Sequence, residues 1–348
     1  MKNVLKWFAV LIVLLVVAYW LGPAPAKPKL DAQLPRLTAS LVQLEQDINA
    51  SERSQPDVKP NNQARIVWAD SSHKQKTRYS ILYLHGFSAS QEEGAPVHTN
   101  IARRFGCNLY LSRLEDHGTQ HPDVFLKLTP ENMLASANRA LAIASQLGDS
   151  VIVMGTSNGG ALGLFLTANQ PQICALIAYS PAVALYNPTA ILLDKPWGLQ
   201  IARVVMGSDY SENKQATQAV QQYWSNKYRV EGLVTLQSFL DNAMIPETFQ
   251  RIHCPVFLAY YYKNEEEQDK VVSVPAMLEM FDQLGTPPAL KRKEAFPKTG
   301  EHVIASHLRS KDWKTVEQQT IRFLEEVMKL QPKSAESISA TAATIPYE

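Results

Sequence analysis

The chain has 348 residues, with 34 Lys and Arg against 33 Asp and Glu, 45% apolar and 19% charged residues, 21 prolines and three cysteines. Such a share of apolar residues supports a sizeable core, and the length fits one α/β unit with additions. The balanced charge leaves no net field to gather phosphates, which argues against a nucleic-acid partner. Cys107, Cys174 and Cys254 are odd in number, far apart and without metal-ligand spacing, so they form no disulfide framework and read as small buried apolar residues.

Lys2 and Lys6 precede an uncharged run from Trp7 to Ala26. Its length falls between the ~7–15 apolar residues of a secretory signal and the ~20 of a membrane span. Ala24-Pro25-Ala26 offers a cleavage site, whereas Trp7, Tyr19 and Trp20 resemble interfacial aromatic belts and favour a retained anchor. Either way the lysines keep the N-terminus in the cytoplasm and send the body across. The expected location is membrane-anchored outside the cytoplasm, or secreted or periplasmic if the segment is cleaved. No cysteine follows the run to accept an acyl chain. Residues 23–35, leading into the linker and helix of 27–63, read as a stiff spacer because Pro23, Pro25, Pro28 and Pro35 punctuate them. Leu37, Leu41, Leu44 and Ile48 then recur at helical spacing and predict an amphipathic helix, either packed on the body or free of it.

From residue 64 to 330, short apolar runs alternate with longer helical patterns, the signature of an α/β fold with a mostly parallel twisted sheet and helices on both faces. The expected strands are 64–69, 79–86, 107–114, 150–155, 174–181, 254–263 and a short one at 290–296. The expected helices are 96–105, 130–147, 158–170, 275–284 and 313–330. Residues 182–250 break the alternation and read as a helical insertion without strands. Residues 331–348, rich in Ser, Ala and Thr, are expected to be disordered.

Gly155-Thr156-Ser157-Asn158-Gly159 stands between a strand pattern and a helix pattern. A chain turning sharply from strand to helix strains the serine backbone and exposes its hydroxyl, and the flanking glycines leave room for the close approach. Ser157 is therefore the candidate nucleophile, and the helix N-terminus beside it faces developing negative charge. Upstream, His85-Gly86-Phe87-Ser88 ends a strand. The Phe87 and Asn158 N–H groups are the expected oxyanion donors, with the His85 side chain bracing the loop. Of the eight histidines, His302 follows the last strand in a Gly-containing loop and best suits the Ser, Asp, His chain order of a nucleophile, acid and base; His117 is its chief competitor. In the loop Asn264 to Val272, Asp269 is the chosen acid because Val271 and Val272 tie it to the core, with Glu267 as the alternative.

These residues resemble the α/β-hydrolase superfamily, and within it the monoacylglycerol-lipase and serine-aminopeptidase-like branch, over residues 64–330. The resemblance rests on His85-Gly86-Phe87-Ser88, His117-Gly118, the Ser157 turn, Asp269-Lys270-Val271-Val272 and Gly300-Glu301-His302. It implies Ser157 as nucleophile, Asp269 as acid, His302 as base, Phe87 and Asn158 as oxyanion donors, and a lid over the active site at 182–250. The acid loop is longer and more acidic than the family's Gly-x-x-Asp turn, and Asp116-His117-Gly118 keeps only part of the family's Asp-x-x-Gly-His-Gly. The expected activity is ester hydrolysis of a small acyl substrate through an acyl-enzyme, with no metal or cofactor needed. An amidase or peptidase with the same triad and a non-catalytic membrane-tethered binding module are the competing readings, and the oligomeric state is open. Tyr186, Trp197, Tyr210, Tyr223, Trp224 and Tyr228 either line an acyl pocket or pack as helix core.

Overall fold

The computed structural model describes residues 2–37 and 40–333, so from residue 334 on the expected disordered tail lies outside the described residues. Helix α1 (Lys2–Trp20) is long and apolar enough to cross a membrane, and none of the span Asn3–Trp20 is buried in the protein. Its C-terminal end is tied to the insertion: Trp197 donates from Nε1 to the Ala18 carbonyl (3.0 Å) and from its backbone to the Pro23 carbonyl (2.8 Å). The proline-rich segment is not a free-standing spacer. Leu30, Ala32, Leu34 and Leu37 pack against the core, and Asn138 donates to the Asp31 carbonyl at 2.8 Å, so the strap lies along the body.

Helix α2 (Leu41–Arg53) is capped by Ser40, whose hydroxyl accepts the Gln43 N–H. It also packs on the body, burying Leu44 and Ile48, with Glu52 paired to Arg113 at 2.7 Å. The main sheet then forms from β1 (Arg65–Val67), β2 (Thr77–Leu84), β3 (Asn108–Leu111), β4 (Gly148–Thr156), β5 (Ile173–Tyr179), β8 (Val256–Tyr260) and β9 (Lys291–Ala295) in the spatial order β1-β3-β2-β4-β5-β8-β9. Only β1 is antiparallel to its neighbour. Each of the seven expected strands is present: β2 and β4 begin two residues earlier than expected and β5 one earlier, while β1, β3, β8 and β9 are shorter.

Successive side chains of a strand point to opposite faces, and this alternation divides the core. On β2, Ile81 and Tyr83 join one cluster while Leu82 and Leu84 join the other; on β8, Phe257 and Ala259 oppose Val256 and Leu258. The first face is covered by α3 (Val97–Phe105) and α11 (Trp313–Glu326), where Phe323 stacks on Phe257 with ring centroids 5.3 Å apart. A buried aromatic of this kind is worth about 3–5 kcal/mol on truncation to Ala. The second face is covered by α4 (Pro130–Leu147), α5 (Asn158–Asn169) and α10 (Val274–Gln283), together with α2.

The insertion contains helices α6 (Gly198–Met206), α7 (Gln218–Tyr223), α8 (Glu231–Ala243) and α9 (Pro246–Gln250). Contrary to expectation it also holds two strands, β6 (Tyr210–Glu212) and β7 (Lys227–Arg229), paired antiparallel. They are too short to show an alternating pattern, and what joins them is tertiary: the Tyr210 ring lies under Lys227 and Arg229 (4.6 and 5.0 Å).

Candidate active site

Parallel strands deliver their following loops to one edge of the sheet. The segments after β2, β4, β8 and β9 carry Phe87, Ser157, Asp269 and His302 respectively.

Ser157 links β4 directly to α5 with φ 54° and ψ −119°, a conformation costly to a residue with a Cβ. The surrounding structure imposes it. A Cβ on Gly155 would lie 2.4 Å from the Gly159 carbonyl oxygen, and one on Gly159 would lie 2.0 Å from the Leu84 carbonyl oxygen. Ser157 donates its N–H to Tyr179 (3.0 Å) and accepts from Ala161 (3.0 Å) and Ala182 (2.9 Å), so the strained backbone is held on three sides.

Asp269 is fully buried. Its Oδ1 accepts the Val271 and Val272 N–H groups (2.8 and 3.0 Å), and its Oδ2 meets His302 Nδ1 at 2.6 Å. Burial pushes this carboxyl up, but the charge and hydrogen bond of His302, with the two amides, hold it below its ordinary value. Burial likewise pushes His302 down, and the charge and hydrogen bond of Asp269 outweigh it, leaving the imidazole above its ordinary value. With Nδ1 bound to the carboxylate, Nε2 is the free nitrogen, buried and without a partner among the described residues. Gly300, at φ 80°, shapes the histidine loop, and Glu301 pins it through Arg309 at 2.6 and 2.8 Å.

Glu267 does not approach His302. It is exposed and pairs with Lys263 at 2.6 Å, so it lies on the solvated side of the loop. His117 is buried beside His85 (5.0 Å) and donates from Nδ1 to the Glu115 carbonyl at 2.7 Å; burial drives its pKa far down. His85 accepts the Leu114 N–H at Nε2 (3.0 Å) and donates from Nδ1 to Gly86 (3.0 Å), bracing the loop, and burial lowers its pKa to about 4.

Asn158 is the first residue of α5, so its N–H has no intrahelical partner. Among the described residues the Phe87 N–H is likewise unclaimed, while its neighbours in the turn are occupied: Gly86 accepts from Ala89 (3.2 Å) and Ser88 from Ser225 (2.7 Å). The Phe87 ring packs with Phe125 (4.6 Å) and with Tyr228 of the insertion (5.5 Å). The other insertion aromatics divide. Trp224 is buried in a small cluster with Ala89, Val220 and Val303, Tyr210 bonds Asp123 at 2.7 Å, and Tyr186 and Trp197 are exposed.

Sequence reasoning missed Glu93. This carboxyl, 2% exposed, accepts the Gly86 N–H at 2.5 Å beside Ser157. Gln91-Glu92-Glu93-Gly94 resembles a solvated acidic turn, and no periodicity marks its second glutamate as inward. The cysteines carry no reactive signature: burial pushes the Cys107 and Cys254 thiols up to about 12 and Cys174 to about 11. A cavity of about 220 Å³ lined by Arg36, Leu44, Ile48 and Arg139 lies under α2, away from these residues.

A strained serine between strand and helix, on a mostly parallel sheet with helices on both faces, defines the α/β-hydrolase fold. Among solved structures the chain superposes on that of the metagenome-derived lipolytic enzymes LipS and LipT with a TM-score of 0.61, at 17% identity over 77% of this chain and 99% of that one. It superposes on the monoacylglycerol lipase of Paleococcus ferrophilus with a TM-score of 0.54, at 14% identity over 75% of this chain and 97% of that one. In sequence it is 30% identical over 103 residues to the thermostable monoacylglycerol lipase of Bacillus sp. (strain H-257), a stretch covering 30% of this chain and 40% of that protein. The match thus spans about two fifths of that relative's length. No family model matches the chain.

Proposed function

We propose that this protein is a serine hydrolase that cleaves a carboxylic ester through an acyl-enzyme. The observation that carries the reading is the Asp269–His302 pair at 2.6 Å, with a free, buried His302 Nε2, on the sheet edge that also presents the strained Ser157. His302 takes the proton of the Ser157 hydroxyl as the oxygen attacks the acyl carbon. The carbonyl oxygen becomes an oxyanion facing the Phe87 and Asn158 N–H groups. His302 returns the proton to the leaving alcohol, and water, activated by the same histidine, releases the acid and restores Ser157. Asp269 fixes the tautomer that leaves Nε2 facing the serine and stabilises the imidazolium.

The carboxylic ester is favoured by the likeness to lipolytic enzymes and monoacylglycerol lipases. The exposed apolar helix α1 supports membrane targeting, and the aromatic residues Trp7, Tyr19 and Trp20 at its ends favour its retention as an anchor, with the catalytic domain across the membrane from the N-terminus. The test is fluorophosphonate labelling of the full chain beside Ser157→Ala, with a series of p-nitrophenyl esters of rising chain length. Labelling and turnover lost in the variant support the reading; a folded wild type that takes no label overturns it. N-terminal sequencing of membrane-fraction protein checks the anchor, and a start near Lys27 would show cleavage instead.

A further inference from the structure

The steps above leave one buried carboxyl unused. Glu93 sits in a 3-10 turn (Gln91–Gly94) between β2 and α3, and its Oε2 accepts the Gly86 N–H at 2.5 Å. A Cβ on Gly86 would lie 2.8 Å from Glu93 Oε1 and 3.1 Å from the Ser157 Cβ, so Glu93 and Ser157 close on the same glycine. Among the described residues no salt bridge reaches Glu93, because Arg309, which faces it, is committed to Glu301. Accepting the Gly86 N–H and the Trp224 side chain needs only a neutral acceptor, and a carboxyl buried without an ionic partner is costly. An ionisable group that could have been avoided has been kept next to the nucleophile.

We infer that Glu93 is a positioning residue for the reaction at Ser157. It holds the Gly86 N–H so that the next amide, Phe87 N–H, faces the oxyanion, and its charge adds to that of Asp269 on His302. This rests on the hydrolase reading above. The rest of the turn agrees: the Gly86 carbonyl is held by Ala89 N–H (3.2 Å) and His85 Nδ1 (3.0 Å), the Ser88 carbonyl by Ser225 N–H (2.7 Å), and Ser88 is itself left-handed at φ 65°. With each neighbouring group tied, the direction of the Phe87 N–H is determined. Facing Glu93 are Tyr83 on β2, Trp224 after α7, and His302 and Arg309 after β9. Burial raises its carboxyl to about 7 against the opposing pull of Gly86, His302 and Arg309, so its charge changes in the range where a histidine titrates.

The experiment is steady-state hydrolysis of p-nitrophenyl butyrate by the full chain, with Glu93→Ala and Glu93→Gln, across a range of pH. Ala removes the acceptor, so kcat falls about 10–100-fold while KM moves less than about two-fold, the split expected for an interaction made chiefly in the transition state. Gln keeps an acceptor oxygen and holds kcat within about three-fold at alkaline pH. It deletes the charge that supports the imidazolium, so the acid limb of kcat/KM moves to lower pH, a shift that a merely structural brace would not cause. An unchanged kcat in folded Glu93→Ala, or an unmoved acid limb in Glu93→Gln, overturns the inference; if the Ala variant does not fold, the Gln profile decides alone. A wild type that neither turns over the ester nor takes a phosphonate at Ser157 sinks the hydrolase reading itself. An active wild type matched by both variants sinks only the role given to Glu93.

Discussion

The loop after β8 and the turn after β2 each bury a carboxylic acid facing His302, and they hold it in opposite ways. Asp269 is surrounded by donors: two amides on one oxygen and an imidazole on the other, which keep its charge favourable despite full burial. Glu93 has one amide, a hydrogen bond from the Trp224 side chain and no salt bridge among the described residues, and burial wins, raising it to about 7. Depth is the same in both regions. The number of hydrogen-bond donors aimed at the carboxyl decides whether a buried acid is a permanent anion or a titrating one.

The largest effect separating the two is expected from Asp269→Asn, which preserves shape but allows the wrong His302 tautomer. Turnover of p-nitrophenyl butyrate should fall about 10³–10⁴-fold, and a loss under ten-fold would mean that Asp269 is not the acid. The opposite titrations should also give opposite stability slopes. Asp269, depressed below its ordinary value, contributes stability that is present above the unfolded carboxylate pKa and lost as pH falls through the folded value. Glu93 runs the other way: the unfolded chain ionises near 4.5 while the folded one waits until about 7, so stability is lost as pH rises across that window. Glu93→Gln should therefore gain on wild type between pH 5 and pH 8, by up to about 3 kcal/mol in denaturant unfolding. Parallel curves for the two proteins would show that Glu93 stays ionised. The smallest effect is expected from Glu267→Gln, which removes an exposed pair with Lys263: kcat should stay within about two-fold, and a larger drop would return Glu267 to the candidate acids.

The same pair shows what could be read from sequence. Asp269 shortly precedes Val271 and Val272, whose amides bind it; Val272 enters the core as expected while Val271 stays half exposed, so one buried valine was enough to flag the buried acid among three solvated glutamates. Ser157 was legible because its strain has a compositional mark, glycines where a Cβ would strike backbone. The five inner strands β3, β2, β4, β5 and β8 were legible because a buried parallel strand carries an apolar run, whereas the edge strands β1 and β9 are short and only partly buried. Glu93 had no such mark; its burial comes from Trp224 and the loop bearing His302 closing over it from distant parts of the chain. Strands β6 and β7 failed for the same reason, since three residues cannot display a period and a Tyr210 ring under two cations is a tertiary event. The proline-rich strap read as a spacer because its composition reports stiffness but not contact.

The closeness of Gly159 to the Leu84 carbonyl has a further consequence. The N-terminus of α5 and the end of β2 meet backbone to backbone, with nothing but a hydrogen where a side chain would be. The gauge between the Asn158 and Phe87 amides is therefore cut into the main chain, and the Glu93 carboxyl sets the direction of the Phe87 N–H rather than this spacing. Core residues on either face can drift in size without widening it, and a pocket can be rebuilt around a fixed pair of donors. A change at Gly159 would re-space them.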